Sequence, residues 1–245
     1  MEQSKKAIDN YVSITYPLLI EMCNSLYFDI YQSALNLYGL PNENNDYYKN
    51  TDFRLAALTR LMSVIINTKT NLYIFNEFIK KKNWSEEYTS KILILNNEPY
   101  LGYIKDLDTD YRFLFYTQFF SQIESFAESL KRFKTISGKD SLLSFLKLSE
   151  SYEEQFVYFI KAIRNSIHNN GYYFPDSDKY PVEYREIKLQ AGQKMDFFDW
   201  EIGFELCHKL FNQFMLSLKS ELLSNMPIIS DSQFIQFNNK TVRAE

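Results

Sequence analysis

The sequence predicts an all-α protein, a helical bundle with additional N-terminal helices and a small β-hairpin insertion near residues 182–195. Three observations carry that prediction. Turn-forming residues are scarce, with 6 Gly and 6 Pro in 245 residues, whereas bulky packing groups are abundant, with 21 Phe and 19 Tyr; this balance favours long helices over many short strands. Apolar residues step by three and four over long stretches, most clearly at Trp200, Phe204, Cys207, Phe211, Phe214, Leu218 and Leu222. Helix start and stop signals flank several of those stretches.

From Ser4 to Tyr38 the spacing is helical, and Gly39-Leu40-Pro41 ends the run with a left-handed cap followed by a residue that cannot continue a helix. Pro17 divides this run or kinks it. Residues 41–50 are polar and Asn-rich and read as a loop. A second helix covers Asp52 to Lys82, with Leu55, Leu58, Leu61, Met62, Ile65 and Ile66 as its inner face. Between Trp84 and Asp110 the pattern is ambiguous: Lys91 to Leu95 suits helix or strand, and Pro99 and Gly102 mark turns. Asp106-Leu107-Asp108-Thr109-Asp110 imitates the start of a calcium loop. However, Tyr111 stands where that loop needs Gly and Thr117 where it needs a bidentate Glu, so an acidic helix start is the better reading.

From Tyr111 to Phe133 a helix places Phe113, Thr117, Phe120, Glu124 and Ala127 on one stripe. Glu124 is thus a carboxylate among aromatics, and burial demands that it meet a cation or reach water. A shorter helix spans Lys139 to Leu148. Ser151 and Glu154 have capping-box spacing ahead of Phe156, Phe159, Ile160, Ile163 and Ile167, and Asn169-Asn170-Gly171 closes that helix. Residues 182–195 alternate like strands, interrupted by Ala191-Gly192. Asp199 caps the last helix, whose apolar stripe belongs to a core or a dimer contact. The expected organisation is an N-terminal helical segment over 1–105, a helical domain over 106–225 and a loose tail over 226–245.

A formal net charge of −4 and pI near 5.4 exclude a broad basic field for nucleic acid, so any such site is local. Candidate patches are Lys80-Lys81-Lys82 and the group Lys131, Arg132 and Lys134, which also suit solvated helix ends. Two cysteines are too few for a disulfide framework. No apolar signal core follows the N-terminus and no run is long enough to span a bilayer, so the expectation is a cytoplasmic protein without a membrane partner. His208 beside Cys207 lacks companions for a zinc site, and neither a metal nor another cofactor is expected.

The chemistry concentrates in Ile163 to Pro175, "IRNSIHNNGYYFP". Residues four apart share a helix face, so Arg164 and His168 project together at the edge of the apolar stripe. Histidine moves protons near neutral pH, and arginine is a permanent planar cation suited to phosphate oxygens. Those are the minimal parts for metal-free cleavage of an RNA phosphodiester. The same residues equally suit a helix C-terminus, with His168 favouring the dipole and Arg164 paired with Glu124.

The run Arg164-Asn165-Ser166-Ile167-His168-Asn169-Asn170-Gly171 resembles the motif of the HEPN superfamily, helical domains common in bacterial toxin–antitoxin and phage-defence systems. Phe113 to Phe126, "FLFYTQFFSQIESF", and Met195 to Leu206, "MDFFDWEIGFEL", are similar to what flanks that motif, and the resemblance covers about residues 111–223. It implies an up-and-down bundle of four or five helices, a homodimer with facing motifs, and metal-independent endoribonuclease activity on RNA. A cognate antitoxin or defence-system protein is an implied partner. Carried over, Arg164 stabilises the phosphate, His168 transfers the proton and Asn165 positions them. Glu124 and Asn169 are supporting residues, and Tyr172 and Tyr173 are substrate-binding candidates within the aromatic cluster Tyr172-Tyr173-Phe174, which suits stacking a base or packing a hairpin onto the helices. Three residues separate Arg164 from His168, where the superfamily has four to six. Two alternatives follow: a helix that ends early and restores the geometry, or a non-catalytic interaction or nucleotide-binding module.

Overall fold

The computed structural model describes residues 10–38, 52–80, 100–175, 182–226 and 229. Among the described residues it is an all-α assembly of seven α-helices, one π-helical turn and one two-stranded antiparallel sheet. Helix α1 (Tyr16–Tyr38) follows directly from a π-helical turn at Tyr11–Thr15. Pro17 neither divides nor ends this run: the Tyr16 N–H bonds back to the Tyr11 carbonyl in the wider π register, which absorbs the proline at the start of the α-helix. Leu19, Cys23, Leu26, Ile30 and Ala34 form the buried face of α1.

Helix α2 (Phe53–Lys80) buries Leu58, Leu61, Ile65, Leu72 and Phe75. The inner face predicted from sequence is shifted at one position: Ile66 is 49% exposed, and Val64 and Thr68 take its place. Helix α3 (Tyr100–Arg132) is continuous over 33 residues, so Gly102 lies inside a helix rather than at a turn. Asp106 to Asp110 accordingly have helical backbone, incompatible with a calcium loop.

The predicted stripe on α3 also rotates. Phe115, Tyr116, Phe119, Phe120, Ile123, Phe126 and Ala127 are buried, whereas Phe113, Thr117 and Glu124 lie half-buried at the edge. The aromatics on both sides of the stripe find partners, because α3 is covered by several elements rather than one. Phe126 shows this best: its ring stacks on Phe53 at 4.9 Å and meets Phe214 and Phe145 edge-on at 5.3 and 5.4 Å. Residues on either side of position 105 therefore share one core, and that division falls inside α3.

Helix α4 (Ser141–Leu146) starts at Asp140, whose carboxylate accepts from the Leu143 N–H at 3.0 Å and also binds Lys161. Helix α5 (Glu154–His168) does not use the predicted capping box. Ser151 is held in the preceding loop, its N–H donating to Ser149 Oγ and its carbonyl accepting from Gln213, so the helix starts beyond it with Glu153 as an uncapped N-cap. Strands β1 (Val182–Tyr184) and β2 (Ile187–Leu189) pair in register Glu183 to Lys188, and Arg185 turns between them with a positive φ of 54°. The predicted hairpin is thus present, and it packs on α5.

Helix α6 (Trp200–Leu218) begins at Asp199, which accepts from the Ile202 N–H at 2.8 Å as the sequence indicates. Its stripe from Trp200 to Leu218 is core, while Leu222 on the short α7 (Glu221–Ser224) is 43% exposed. The tail is not loose at its described positions. Met226 accepts from Arg54, the Ile229 carbonyl accepts from the Phe53 N–H at 2.7 Å, and the Ile229 side chain is buried. The predicted loop at 41–50, the Lys91–Leu95 segment and the rest of the tail lie outside the described residues. Among the described residues no helix is long and apolar enough to cross a membrane.

Candidate functional site

The C-terminus of α5 is built by three residues that leave helical geometry in succession. Asn169 has φ −103° and ψ 37°, and Asn170 and Gly171 take positive φ of 56° and 82°. The N–H groups of Asn169 and Gly171 both donate to the Ser166 carbonyl at 2.9 Å, satisfying one of the carbonyls that a helix end leaves free. The left-handed pair sends the chain away sharply. A Cβ at 171 would stand 3.8 Å from the Phe113 ring, so the strain of positive φ, more than space, favours glycine there.

Beyond the turn, residues 171–173 are zipped to 192–195. Tyr173 N–H donates to Gln193 O at 2.9 Å, Gly192 N–H to Tyr173 O at 2.7 Å, and Met195 N–H to Gly171 O at 2.9 Å. This bridge brings Lys194 opposite Tyr172. Between it and α3 lies an open groove of about 900 Å³. His168 lines the groove, with Arg112, Phe113 and Thr117 from α3 on one wall and Lys194 and Asp196 on another. His168 is exposed and has no hydrogen-bond or ion-pair partner among the described residues. Nothing therefore holds its imidazole back from a ligand.

Two cations and two carboxylates, Asp110 and Asp196, share the groove with His168. Lys194 is only loosely paired, 3.9 Å from Asp196. Arg112 forms no ion pair among the described residues. Its Nη2 donates to Thr109 Oγ1 at 3.0 Å, while its buried Nε is without a partner, as is the buried Thr117 hydroxyl.

Arg164 does not line this groove. Its guanidinium turns to α3, where Nη2 lies 3.7 Å from Glu124 Oε2, and Nη1 donates to Asn165 Oδ1 at 3.2 Å. The pairing of Arg164 with Glu124 expected from sequence is thus present, as a loose contact beyond hydrogen-bond length between side chains that are each about one-third exposed. Asn165 contacts Arg164 and not the groove. The helix continues through His168, so it does not end early to compensate for the short spacing. Asn169 is the exposed C-cap, and its neighbour Asn170 reaches the groove instead.

The two tyrosines separate. Tyr172 is 41% exposed, whereas Tyr173 is 6% exposed and belongs to the core, so Tyr173 is not available to stack a base. Side chains alternate along the extended segment, which puts Phe174 beside Tyr172 on the outer face. Phe174 is 56% exposed, and its ring stacks on Tyr172 with centroids 6.4 Å apart. Arg112 and Lys194 are the groove residues that sequence reasoning missed, whereas Phe174 stands in the aromatic cluster that it singled out.

The second histidine has a different setting. His208 Nδ1 on α6 lies 3.5 Å from Asp29 Oδ2 on α1, and burial lowers its pKa below 6.5 while Asp29 opposes that shift. Below pH 6.5 the unfolded chain binds a proton that folded His208 resists, so stability present above 6.5 is lost as the pH falls through the folded value. His208→Asn is expected to flatten the decline in Tm measured between about pH 7.5 and about pH 5.5. An unchanged slope would show that His208 does not set it. Among the described residues there is no cluster of three or more His, Cys, Asp or Glu side chains able to hold a metal ion.

Comparison with protein-family models, with curated proteins and with solved structures finds no match. The functional reading accordingly rests on the groove and on the resemblance of the run from Arg164 to Gly171.

Proposed function

We propose that this chain is a HEPN-like, metal-independent endoribonuclease of the kind found in bacterial defence or toxin–antitoxin systems, working as a homodimer. The observation that carries the reading is the unpartnered His168 in a groove that also holds two cations. In the reaction the RNA 2′-oxygen attacks the adjacent phosphorus, the bond from phosphorus to the 5′-oxygen breaks, and a 2′,3′-cyclic phosphate and a 5′-hydroxyl result. His168 takes the 2′-hydroxyl proton or supplies one to the leaving oxygen. The other proton-moving group comes from a second copy of the chain. Tyr172 and Phe174 offer a stacking surface for an unpaired base.

The test is incubation of total cellular RNA with the purified protein in EDTA, beside DNA of matched sequence. The expected result is RNA cleavage leaving cyclic phosphate ends, with DNA intact because it lacks the attacking hydroxyl. Equal cleavage of DNA, or a strict magnesium requirement, overturns the nuclease reading.

A second reading is a non-catalytic HEPN-like interaction or nucleotide-binding module acting as an accessory subunit. The observation favouring it is that Arg164 is engaged by Glu124 and Asn165 outside the groove, while Asp110 and Asp196 moderate the groove's positive charge. Under that reading RNA or a nucleotide binds without being cleaved, and His168→Ala leaves the biological phenotype intact.

A further inference from the structure

We infer that Arg112, and not Arg164, is the cation that receives the substrate phosphate beside His168. The inference rests on the reading of the groove as an RNA site. It follows from how each arginine spends its donors. A guanidinium presents five N–H groups and no acceptor, and a buried donor without a partner is costly. Arg54, Arg164 and Arg185 each face a carboxylate, on Asp52, Glu124 and Glu205 respectively. The buried Nε of Arg164 is unpartnered like that of Arg112, so the carboxylate is what separates the two. Arg112 faces none in ion-pair range among the described residues. One bond, to the Thr109 hydroxyl, is its hydrogen bonding, and its guanidinium lies 6.0 Å from the Phe113 ring centre on the groove wall.

An under-bonded arginine in a groove is a site for an anion that can take two parallel hydrogen bonds, as a phosphate does. The nearby carboxylate of Asp108 acts on Arg112 through space but forms no ion pair with it, and its Oδ1 accepts from Trp200 Nε1 at 2.8 Å. Arg112 and His168 both line the groove, so a phosphodiester held by Arg112 shares that groove with His168. Thr117, with its unpartnered hydroxyl on the same wall, supplies a further donor once a ligand reorders the groove.

The experiment measures binding and cleavage separately. Binding uses a short single-stranded 2′-O-methyl oligonucleotide, which cannot be cleaved by 2′-hydroxyl attack, followed by fluorescence anisotropy across a salt series. The proteins are the wild type, Arg112→Ala, Arg112→Lys and the charge-matched control Arg185→Ala, each checked for an unchanged melting profile. Arg112→Ala is expected to weaken binding at least about tenfold and to reduce the salt slope by about 0.7, the share of one phosphate contact on a single strand. Arg112→Lys keeps the slope but loses cleavage rate, because a point charge does not reproduce the planar fork. Arg185→Ala changes neither.

Wild-type affinity and slope in Arg112→Ala overturn the inference, as does an equal loss in Arg185→Ala or no binding by the wild type. Should Arg112→Ala fail to fold, Arg112→Gln is read by the same criteria. If the wild type binds through Arg112 yet cleaves nothing in EDTA, the phosphate assignment stands and the nuclease reading falls.

Discussion

His168→Ala is expected to lower EDTA-resistant RNA cleavage by about 10²–10⁴-fold, the range that a positioned proton-transfer group contributes. The melting temperature should stay within about 2 °C of wild type, because exposed side chains without partners contribute little to stability. His168 meets both conditions: it is exposed on the last turn of α5 and lines the groove without a hydrogen bond to the protein. The comparison is made on proteins of equal Tm, with cleavage followed by release of cyclic phosphate ends. Undiminished cleavage in the variant removes His168 from the mechanism, whatever the groove binds. A collapse in Tm makes it a structural residue.

Arg54→Ala is expected to produce the largest loss of stability. Asp52 and Arg54 have side chains only 9 and 10% exposed. Arg54 Nε lies 2.9 and 3.0 Å from the two oxygens of Asp52, Nη1 donates to Leu223 O at 2.6 Å, and Nη2 donates to Met226 O at 3.0 Å. One side chain therefore ties the start of α2 to the chain beyond α6. Removing it leaves a buried carboxylate held only by the backbone N–H of residue 54, and takes a donor from the carbonyls of Leu223 and Met226, a defect that costs about 3–5 kcal/mol. In a chain of this size that corresponds to a fall in Tm on the order of 10 °C. The double variant Asp52→Ala, Arg54→Ala should lose less than Arg54→Ala alone, because the uncompensated charge is gone. Equal Tm values for the two would show that the pair does not work as described.

Helix existence was legible along most of the described chain. The stop at Asn169-Asn170-Gly171, the Asp199 cap and the stripe of α6 as far as Leu218 all depend on neighbours within a few residues, and all three stand where periodicity and capping chemistry put them. The failures have a common cause. Gly102 and Pro17 are turn signals by composition, yet α3 runs through the first, because the packing of its long aromatic face outweighs about 1 kcal/mol of glycine propensity, and a π-helical turn takes up the second at the start of α1. Ser151 does not cap α5 because Ser149 and Gln213, the latter on another helix, bond its backbone in the preceding loop. Ile66 and the α3 stripe were misplaced by a fraction of a turn, since a helix contacted on several sides buries more than one stripe.

For the site, the sequence alone determined that a helix ends at Asn169-Asn170-Gly171, just past His168, and that Arg164 and Glu124 suit each other as partners. Both follow from local rules, one backbone and one electrostatic. Only the tertiary structure decided which charges share a groove. The i and i+4 spacing put Arg164 and His168 on a common face, but a long flexible cation follows the nearest carboxylate, and Glu124 draws Arg164 away while the Tyr172–Lys194 bridge and α3 bring Lys194 and Arg112 to His168. Those residues lie far apart along the chain. No periodicity or motif connects them, because their proximity arises from how separate elements pack.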